Sequence, residues 1–540
     1  MTTAVLVALV TAVLAESSCL ASATIWIKAD SAWSVTGKDD LQRLKRLASG
    51  VGYEFEPNAD TGAALMRIGI KTIRCINVDP LPGTFDTQGK FTAGELPFLN
   101  HHLDMCRAVG AKPHIIIATG IHPDLQVKEK DVKGKDESVM GMIHSTIFGP
   151  TDWVKFQNYC EAYFEHVLIT KKFPDAEFEV ANEPDIGGAT YPFPPKPSMG
   201  SRALYEAYFN LYKNVAIAAE SFEKKHPGMK IRLGGPAIAW AFTFKYGDFN
   251  WAERFLRDCS EQKIKLDFIG IHYYGNISSL DGEYPTNFPS FTQMLTVTKA
   301  ARDKYCSGVP IWFTEWGPSY TVDNSIPSSV NANHVGAAWS AAFLNVMLQC
   351  GVDGALYLVT TDLRQQIDGK WENVWGWPSM FVNPTVFGKA YPKAPFHLFE
   401  MISKLEGHRI EASRGKETVN CFASADKDKK KITLLIWNYG AEIPEKGAWV
   451  EKAVEQKTRV CVRDAAHFFQ SKKVKVERWL VSESASDAYQ VVSKGGKLTD
   501  DNTALKQVGS SRVKITDGKL ECDFALPPSS VSLVVLTAEK

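Results

Sequence analysis

From about residue 50 to residue 400, short β-branched runs alternate with longer stretches in which apolar residues recur every three or four positions. Such alternation marks repeated βα units around a parallel sheet. Eight runs qualify as strands: 52–56, 70–76, 112–118, 177–181, 230–234, 266–271, 309–313 and 354–359. Between them, Trp153, Phe156, Tyr159, Tyr163 and Val167 lie on one face of a helix expected over 151–170, and another helix is expected over 204–225. Eight units within roughly 350 residues predict an α/β fold, the (β/α)8 or TIM barrel. Beyond residue 406 the pattern changes. The runs 419–423, 431–437, 458–462, 473–480 and 530–537 are strand-like with little helical periodicity between them, which predicts a C-terminal β-sandwich. Thr24-Ile25-Trp26-Ile27 also alternates. The expected organisation is a leader over 1–23, a barrel domain over 24–405 in which 24–35 can add an edge strand to the sandwich, and the sandwich over 406–540.

Composition narrows the class. Lys plus Arg and Asp plus Glu both number 61, so the chain as a whole is not drawn to nucleic acid or anionic lipid. The basic run from Lys427 to Lys431, between two strand candidates, reads as a solvated hairpin tip. The apolar run from Ala4 to Ala15 is too short to span a bilayer and precedes Ala21-Ser22-Ala23, a small-x-small cleavage pattern. A secreted or secretory-lumen mature chain starting near Thr24 is therefore expected, with no membrane attachment after leader removal. Nine cysteines remain beyond Cys19, scattered and without a Cys-x-x-Cys pair, so they read mainly as buried thiols, with one or two bridges left open. No Gly-x-Ser-x-Gly, His-Glu-x-x-His or Gly-x-Gly-x-x-Gly occurs, which argues against serine esterases, zinc proteases and dinucleotide enzymes. No cofactor and no metal are expected.

In a parallel barrel, polar groups at strand C-terminal ends face a shared cavity. Glu183 follows the fourth strand within Asn182-Glu183-Pro184-Asp185, and Glu315 follows the seventh within Thr314-Glu315-Trp316-Gly317. Two carboxylates converging on one barrel mouth suit glycoside hydrolysis, in which one must be protonated and the other ionised. Glu183 suits the acid, and Asn182 beside it can donate to the sugar hydroxyl next to the reacting carbon. Glu315 suits the nucleophile. Alternation puts His272 and Tyr274, at the end of the sixth strand, on one side, where the phenol can orient that carboxylate. Arg74, at the end of the second strand, can pair with it, the alternative being a purely structural ion pair. Trp240, Trp316, Trp375 and Trp377 follow strands and are candidate walls for a sugar ring, with core packing as the competing role. His122 sits in the loop after the third strand, and Asp185 reads as a turn cap. Asn276-Ile277-Ser278 forms an N-glycosylation sequon after the sixth strand.

These residues carry a resemblance. Ala111-Lys112-Pro113, the segment from Phe178 to Asp185, Leu233-Gly234-Gly235-Pro236-Ala237, the segments from Phe268 to Tyr274 and from Ile311 to Gly317, and Pro392-Lys393-Ala394-Pro395-Phe396 resemble glycoside hydrolase family 39, a family of retaining barrel glycosidases that contains β-xylosidases and α-L-iduronidases. The resemblance covers nearly the whole mature chain. It implies Glu183 as acid/base, Glu315 as nucleophile, and Asn182, His272 and Tyr274 around the reacting sugar. Members often carry a His two places after the second-strand Arg, where this chain has Arg74-Cys75-Ile76; one sugar contact is then missing or supplied from elsewhere. The expected activity is a secreted retaining O-glycosidase, β-xylosidase-like and exo-acting, on an oligosaccharide or polysaccharide-derived substrate. The alternatives are α-L-iduronidase, β-glucosidase, galactosidase or endo-glycanase specificity, or a carbohydrate-binding barrel without turnover. Oligomeric state is left open.

Overall fold

The computed structural model describes residues 22–29, 39–54, 59–75, 82–94, 96–128, 147–187, 190–191, 197–239, 250–276, 290–321, 330–416, 418–444 and 447–539. Eight parallel strands close into a barrel: β1 (Gly50–Gly52), β2 (Thr72–Cys75), β3 (Lys112–Ile117), β4 (Glu177–Val180), β5 (Arg232–Ile238), β6 (Phe268–Tyr274), β7 (Ile311–Gly317) and β8 (Gly354–Tyr357), with β8 pairing back onto β1. Helices Trp153–Phe164, Arg202–Lys225, Trp251–Gln262, Phe291–Tyr305 and His334–Cys350 each begin on an Asp, Ser or Asn whose side chain accepts from the first free backbone N–H groups.

The strand ends differ from expectation in an instructive way. The fifth, sixth and seventh strands continue three or four residues further towards the catalytic end than their apolar runs predict. The added residues include Gly235-Pro236 in the fifth strand, His272 in the sixth and Thr314-Glu315 in the seventh, which read as strand stops yet stay in the strands. The first strand lies earlier than expected, at Gly50–Gly52. Only Gly52 is shared with the expected run 52–56. Here glycine is required: a Cβ on Gly52 would lie 1.5 Å from the Leu358 carbonyl oxygen.

Nine further strands form a mixed sheet that combines Ser22–Lys28 with the C-terminal region. Ile25 and Ile27 from one half, with Leu434, Ile436, Val474, Val534 and Leu536 from the other, enclose a second hydrophobic core, giving the sandwich. The N-terminal strand is not at an edge. It runs parallel to Gln456–Arg463 and antiparallel to His408–Ala412, so it joins the two halves. Helix His334–Cys350 is apolar on nearly every side because it packs on the barrel and also meets strands Lys431–Asn438 and Ser530–Ala538. Cys75, Cys106, Cys160, Cys259, Cys421 and Cys461 are buried thiols. No described helix is long and apolar enough to cross a membrane.

Candidate active site

The C-terminal ends of β2, β4, β6 and β7 bring Arg74, Asn182, Glu183, His272, Tyr274 and Glu315 together around one cavity. After β4 the backbone enters left-handed conformations at Ala181 (φ 64°) and Glu183 (φ 47°), a departure costing about 1 kcal/mol per non-glycine residue. Two contacts retain it: Glu183 N–H donates to the Ala237 carbonyl at 2.9 Å, and the Gly187 N–H returns to the Glu183 carbonyl. Asp185 accepts from the Ala239 N–H at 2.9 Å, tying the loop after β4 to the end of β5. That bond is structural and long-range, where the sequence suggests a cap on the local turn.

Arg74 organises the site. Its Nη1 donates to Glu315 Oε2 at 2.9 Å, its Nε and Nη2 to Glu179 Oε2 at 3.1 and 2.9 Å, and Nη2 also to Asn182 Oδ1 at 2.8 Å. Guanidinium only donates, so the Asn182 carbonyl must face it, leaving the Asn182 amide group as a hydrogen-bond donor. The same reasoning sets the His272 tautomer. Arg74 Nη2 lies 3.3 Å from His272 Nε2, so Nε2 accepts and Nδ1 carries the proton, which it donates to Glu183 Oε1 at 3.0 Å. Burial, reinforced by Arg74 against the pull of Glu315, lowers the His272 pKa and keeps the ring neutral. Tyr274 donates to Glu315 Oε1, so both oxygens of Glu315 are occupied by donors.

One oxygen of Glu183, one of Glu315 and the His272 Nδ1 all lie within 4.8 Å of one another. The trio has metal-ligating atom types, but the imidazole nitrogen that faces the carboxylates bears the proton, and Arg74 already supplies the positive charge. The Glu183 and Glu315 side chains keep 9% and 13% of their surface open, whereas Glu179 is sealed at 0%. The first two can therefore meet a substrate.

Glu179 is the group that sequence reading missed. Burial opposes its charge, but Arg74 and His114 hold its carboxyl well below the ordinary range. Arg74 stays charged: burial disfavours it, and Glu179 and Glu315 outweigh that. Behind them, His114 lies 3.4 Å from both Glu177 and Glu179, and Glu177 meets Lys112 and Arg232. A line of alternating charges thus runs along the barrel interior to the nucleophile candidate. The signal was visible: Glu177 and Glu179 alternate with Phe178 and Val180, placing two carboxylates on one face of a single strand. Tyr53, at the end of β1, is a second missed residue. Its ring packs beside Tyr274, and burial together with Glu315 raises its pKa.

Gly270 makes room for this network, since a Cβ there would lie 2.0 Å from Glu179 Oε1. Gly270→Ala is expected to displace Glu179 and the Arg74 fork with it, lowering kcat by about tenfold or more without touching substrate. Steady-state kinetics beside a thermal melt measures this, and an active variant with wild-type kcat would refute it.

The tryptophans divide. Trp316 is fully buried among Trp339, Phe343, Tyr357 and Phe399. Its expected place as a sugar wall is corrected: Glu315 points inward, so the next residue of the strand must face the helices. Trp375 packs against Phe387 and Tyr489 at the seam with the sandwich, not beside the carboxylates. Trp377 is half-buried and packs against the cluster that Tyr53 and Tyr274 form with Leu358 and Val359, next to the site. Trp240 lies outside the described residues. His122 bonds the Gly83 carbonyl and packs on Phe85 and Phe91, a local role in its loop. Asn276 is 1% exposed, and its Oδ1 accepts from the Tyr320 N–H, so in the folded protein this sequon has no room for a glycan.

The family model for glycosyl hydrolases family 39 matches residues 170–492, more than half of the chain. The chain belongs to that family. It is a glycosidase acting on O-glycosyl bonds, and the matched region holds Glu179, Asn182, Glu183, His272, Tyr274 and Glu315. A β-xylosidase of Geobacillus stearothermophilus is 23% identical over 521 residues, covering 92% of this chain and 89% of that protein. Among solved structures, a family 39 enzyme from Xanthomonas axonopodis pv. citri superposes with a TM-score of 0.70 at 18% identity, over 97% of this chain and 99% of that one. A monomeric β-xylosidase from Caulobacter crescentus CB15 gives 0.67 at 19% identity, over 96% and 100%. At these identities the structural likeness speaks for the shared fold of barrel and sandwich.

Proposed function

We propose that this glycosidase is a retaining, exo-acting β-xylosidase that works by double displacement. The observation that carries the reading is that one oxygen of Glu183 and one of Glu315 lie within 4.8 Å of each other, with His272 bonded to Glu183 and Arg74 and Tyr274 bonded to Glu315. Retaining enzymes hold their carboxyl groups about 5–5.5 Å apart, whereas inverting ones need about 6.5–9.5 Å to admit water between them. In the first step a Glu315 oxygen attacks the anomeric carbon as the glycosidic bond breaks, and Glu183 gives its proton to the departing oxygen. Glu183, now a carboxylate, then takes a proton from water, whose oxygen attacks the anomeric carbon and frees Glu315. Asn182, its carbonyl held by Arg74, donates to the neighbouring sugar hydroxyl. The xyloside preference is supported by the β-xylosidases that this chain resembles over most of its length. Secretion is part of the proposal and rests on the leader-like pattern before Thr24.

The test is hydrolysis of aryl glycosides followed by proton NMR of the first-formed sugar. The expected result is cleavage of the β-xyloside with β-xylose appearing first. First-formed α-xylose would overturn the double displacement, and cleavage of a different glycoside alone would overturn the sugar assignment.

A further inference from the structure

Beyond the reacting groups, the segment Trp375-Gly376-Trp377 is held at the barrel mouth in an unusual way. Lys393 and Asp362 form an ion pair with both side chains sealed from solvent. Besides donating to Asp362 Oδ1 at 2.8 Å and Ser379 Oγ at 2.7 Å, Lys393 Nζ reaches the carbonyl oxygens of Trp377 at 3.0 Å and Trp375 at 3.4 Å. The intervening Gly376 carbonyl accepts from Asn331 Nδ2 at 2.7 Å. Three consecutive loop carbonyls are thus fixed by buried side chains from two other segments. Asp362 is anchored in turn, since Oδ1 accepts from Ser379 Oγ and Oδ2 from Asn373 Nδ2.

A buried ion pair is a weak source of stability, because desolvation offsets most of its attraction and an apolar pair would serve as well. What an ammonium group supplies and an apolar residue does not is several donors at one point, here reaching the carbonyls of Trp375 and Trp377, the second of which also accepts from the Ser379 N–H. The loop so held carries Trp377, which packs against the small cluster of Tyr53, Tyr274, Leu358 and Val359, and within that cluster Tyr274 holds Glu315.

We propose that Lys393 is a positioning residue that, through the carbonyls of Trp375 and Trp377, sets the Trp377 indole as the wall against which the sugar binds. This rests on the glycosidase reading of the site and extends it to a residue that touches neither substrate nor the reacting carboxylates. Removing the clamp frees the indole and weakens sugar binding more than it slows chemistry.

The test compares the paired neutralisation Asp362→Asn/Lys393→Met with Trp377→Ala and with all three changes together, on an aryl glycoside. Each is expected to raise KM by about three- to tenfold with a smaller change in kcat, as loss of one aromatic contact predicts. If Lys393 acts through Trp377, the combined variant raises KM no further than either alone; effects that multiply overturn the proposal, as does a lowered Tm with unchanged KM. A second readout needs no activity. In protein labelled with 5-fluorotryptophan, the 19F line that disappears in Trp377→Phe is expected to shift in the paired variant, and an unmoved line overturns the proposal. Should the paired variant not fold, Lys393→Arg keeps the buried charge paired with Asp362 but moves the donors off the Trp375 and Trp377 carbonyls, and the same line must move. A wild-type protein that cleaves no glycoside would overturn the reading of function, and the fluorine line would still decide the role of Lys393.

Discussion

Glu315→Gln is expected to lower kcat/KM on an aryl glycoside by at least about 10⁴-fold while leaving the protein folded. The amide has the shape of the carboxylate but is no nucleophile, and it cannot accept from both Arg74 and Tyr274, which now donate to its two oxygens. Arg74 keeps Glu179 as a counter-charge, so no isolated buried cation is created. The smaller Glu315→Ala variant separates this role from a structural one. It leaves a space on the attacking face, where azide can enter and displace the leaving group while Glu183 still protonates it. A glycosyl azide of inverted configuration is expected from the Ala variant and none from the Gln variant, read by kinetics and product NMR. Near-normal turnover by either would remove Glu315 from the chemistry.

Glu179→Leu is expected to have the second largest effect, and it falls on stability as well as rate. Glu179 and Arg74 are both sealed from solvent, and removing one partner of such a pair costs about 3–5 kcal/mol, because the other charge is left without its partner. Arg74 would then lose the acceptor of its Nε and Nη2 donors, so its hold on Glu315 and Asn182 loosens and kcat/KM falls. Glu179→Gln, which keeps an acceptor oxygen, is expected to retain more of both. Denaturant unfolding and kinetics on the same samples check this; a Leu variant of wild-type stability would show that the barrel interior does not depend on the pair.

The same network predicts a pH dependence on both sides. The folded-state pKa of Glu179 lies below its ordinary value of 4.5, so its contribution is fully present above about pH 4.5 and disappears as pH falls through the folded pKa. For His114, burial opposes the proton, but hydrogen bonds to Glu177 and Glu179 raise its pKa above 6.5. Its contribution is fully present below about pH 6.5 and is lost as pH rises through the folded value. Unfolding free energies measured from acid to alkaline pH should show both limbs, with the alkaline limb reduced in His114→Asn.

Much of this architecture is legible in the order of residues. Eight mostly apolar runs spaced by helical repeats specify the barrel because each strand is buried on both faces, the charged residues of the fourth strand being admitted only where they pair inside it. The pairing of Asn182-Glu183-Pro184 with a later strand-borne Glu315, and of His272 with Tyr274, is likewise visible, since alternation along a strand assigns neighbours to faces. Applied strictly, that rule would have set Trp316 apart from Glu315. Some decisions needed the third dimension. Nothing in the linear order says that the Arg74 fork divides between Glu179 and Glu315, that its donors set the His272 tautomer and the Asn182 amide, or that Lys393 reaches back to the carbonyls beside Trp377. Local pattern reports which face a side chain takes, because that depends on its own backbone. Which groups then meet depends on segments tens to hundreds of residues apart, and only barrel closure brings them within hydrogen-bonding distance.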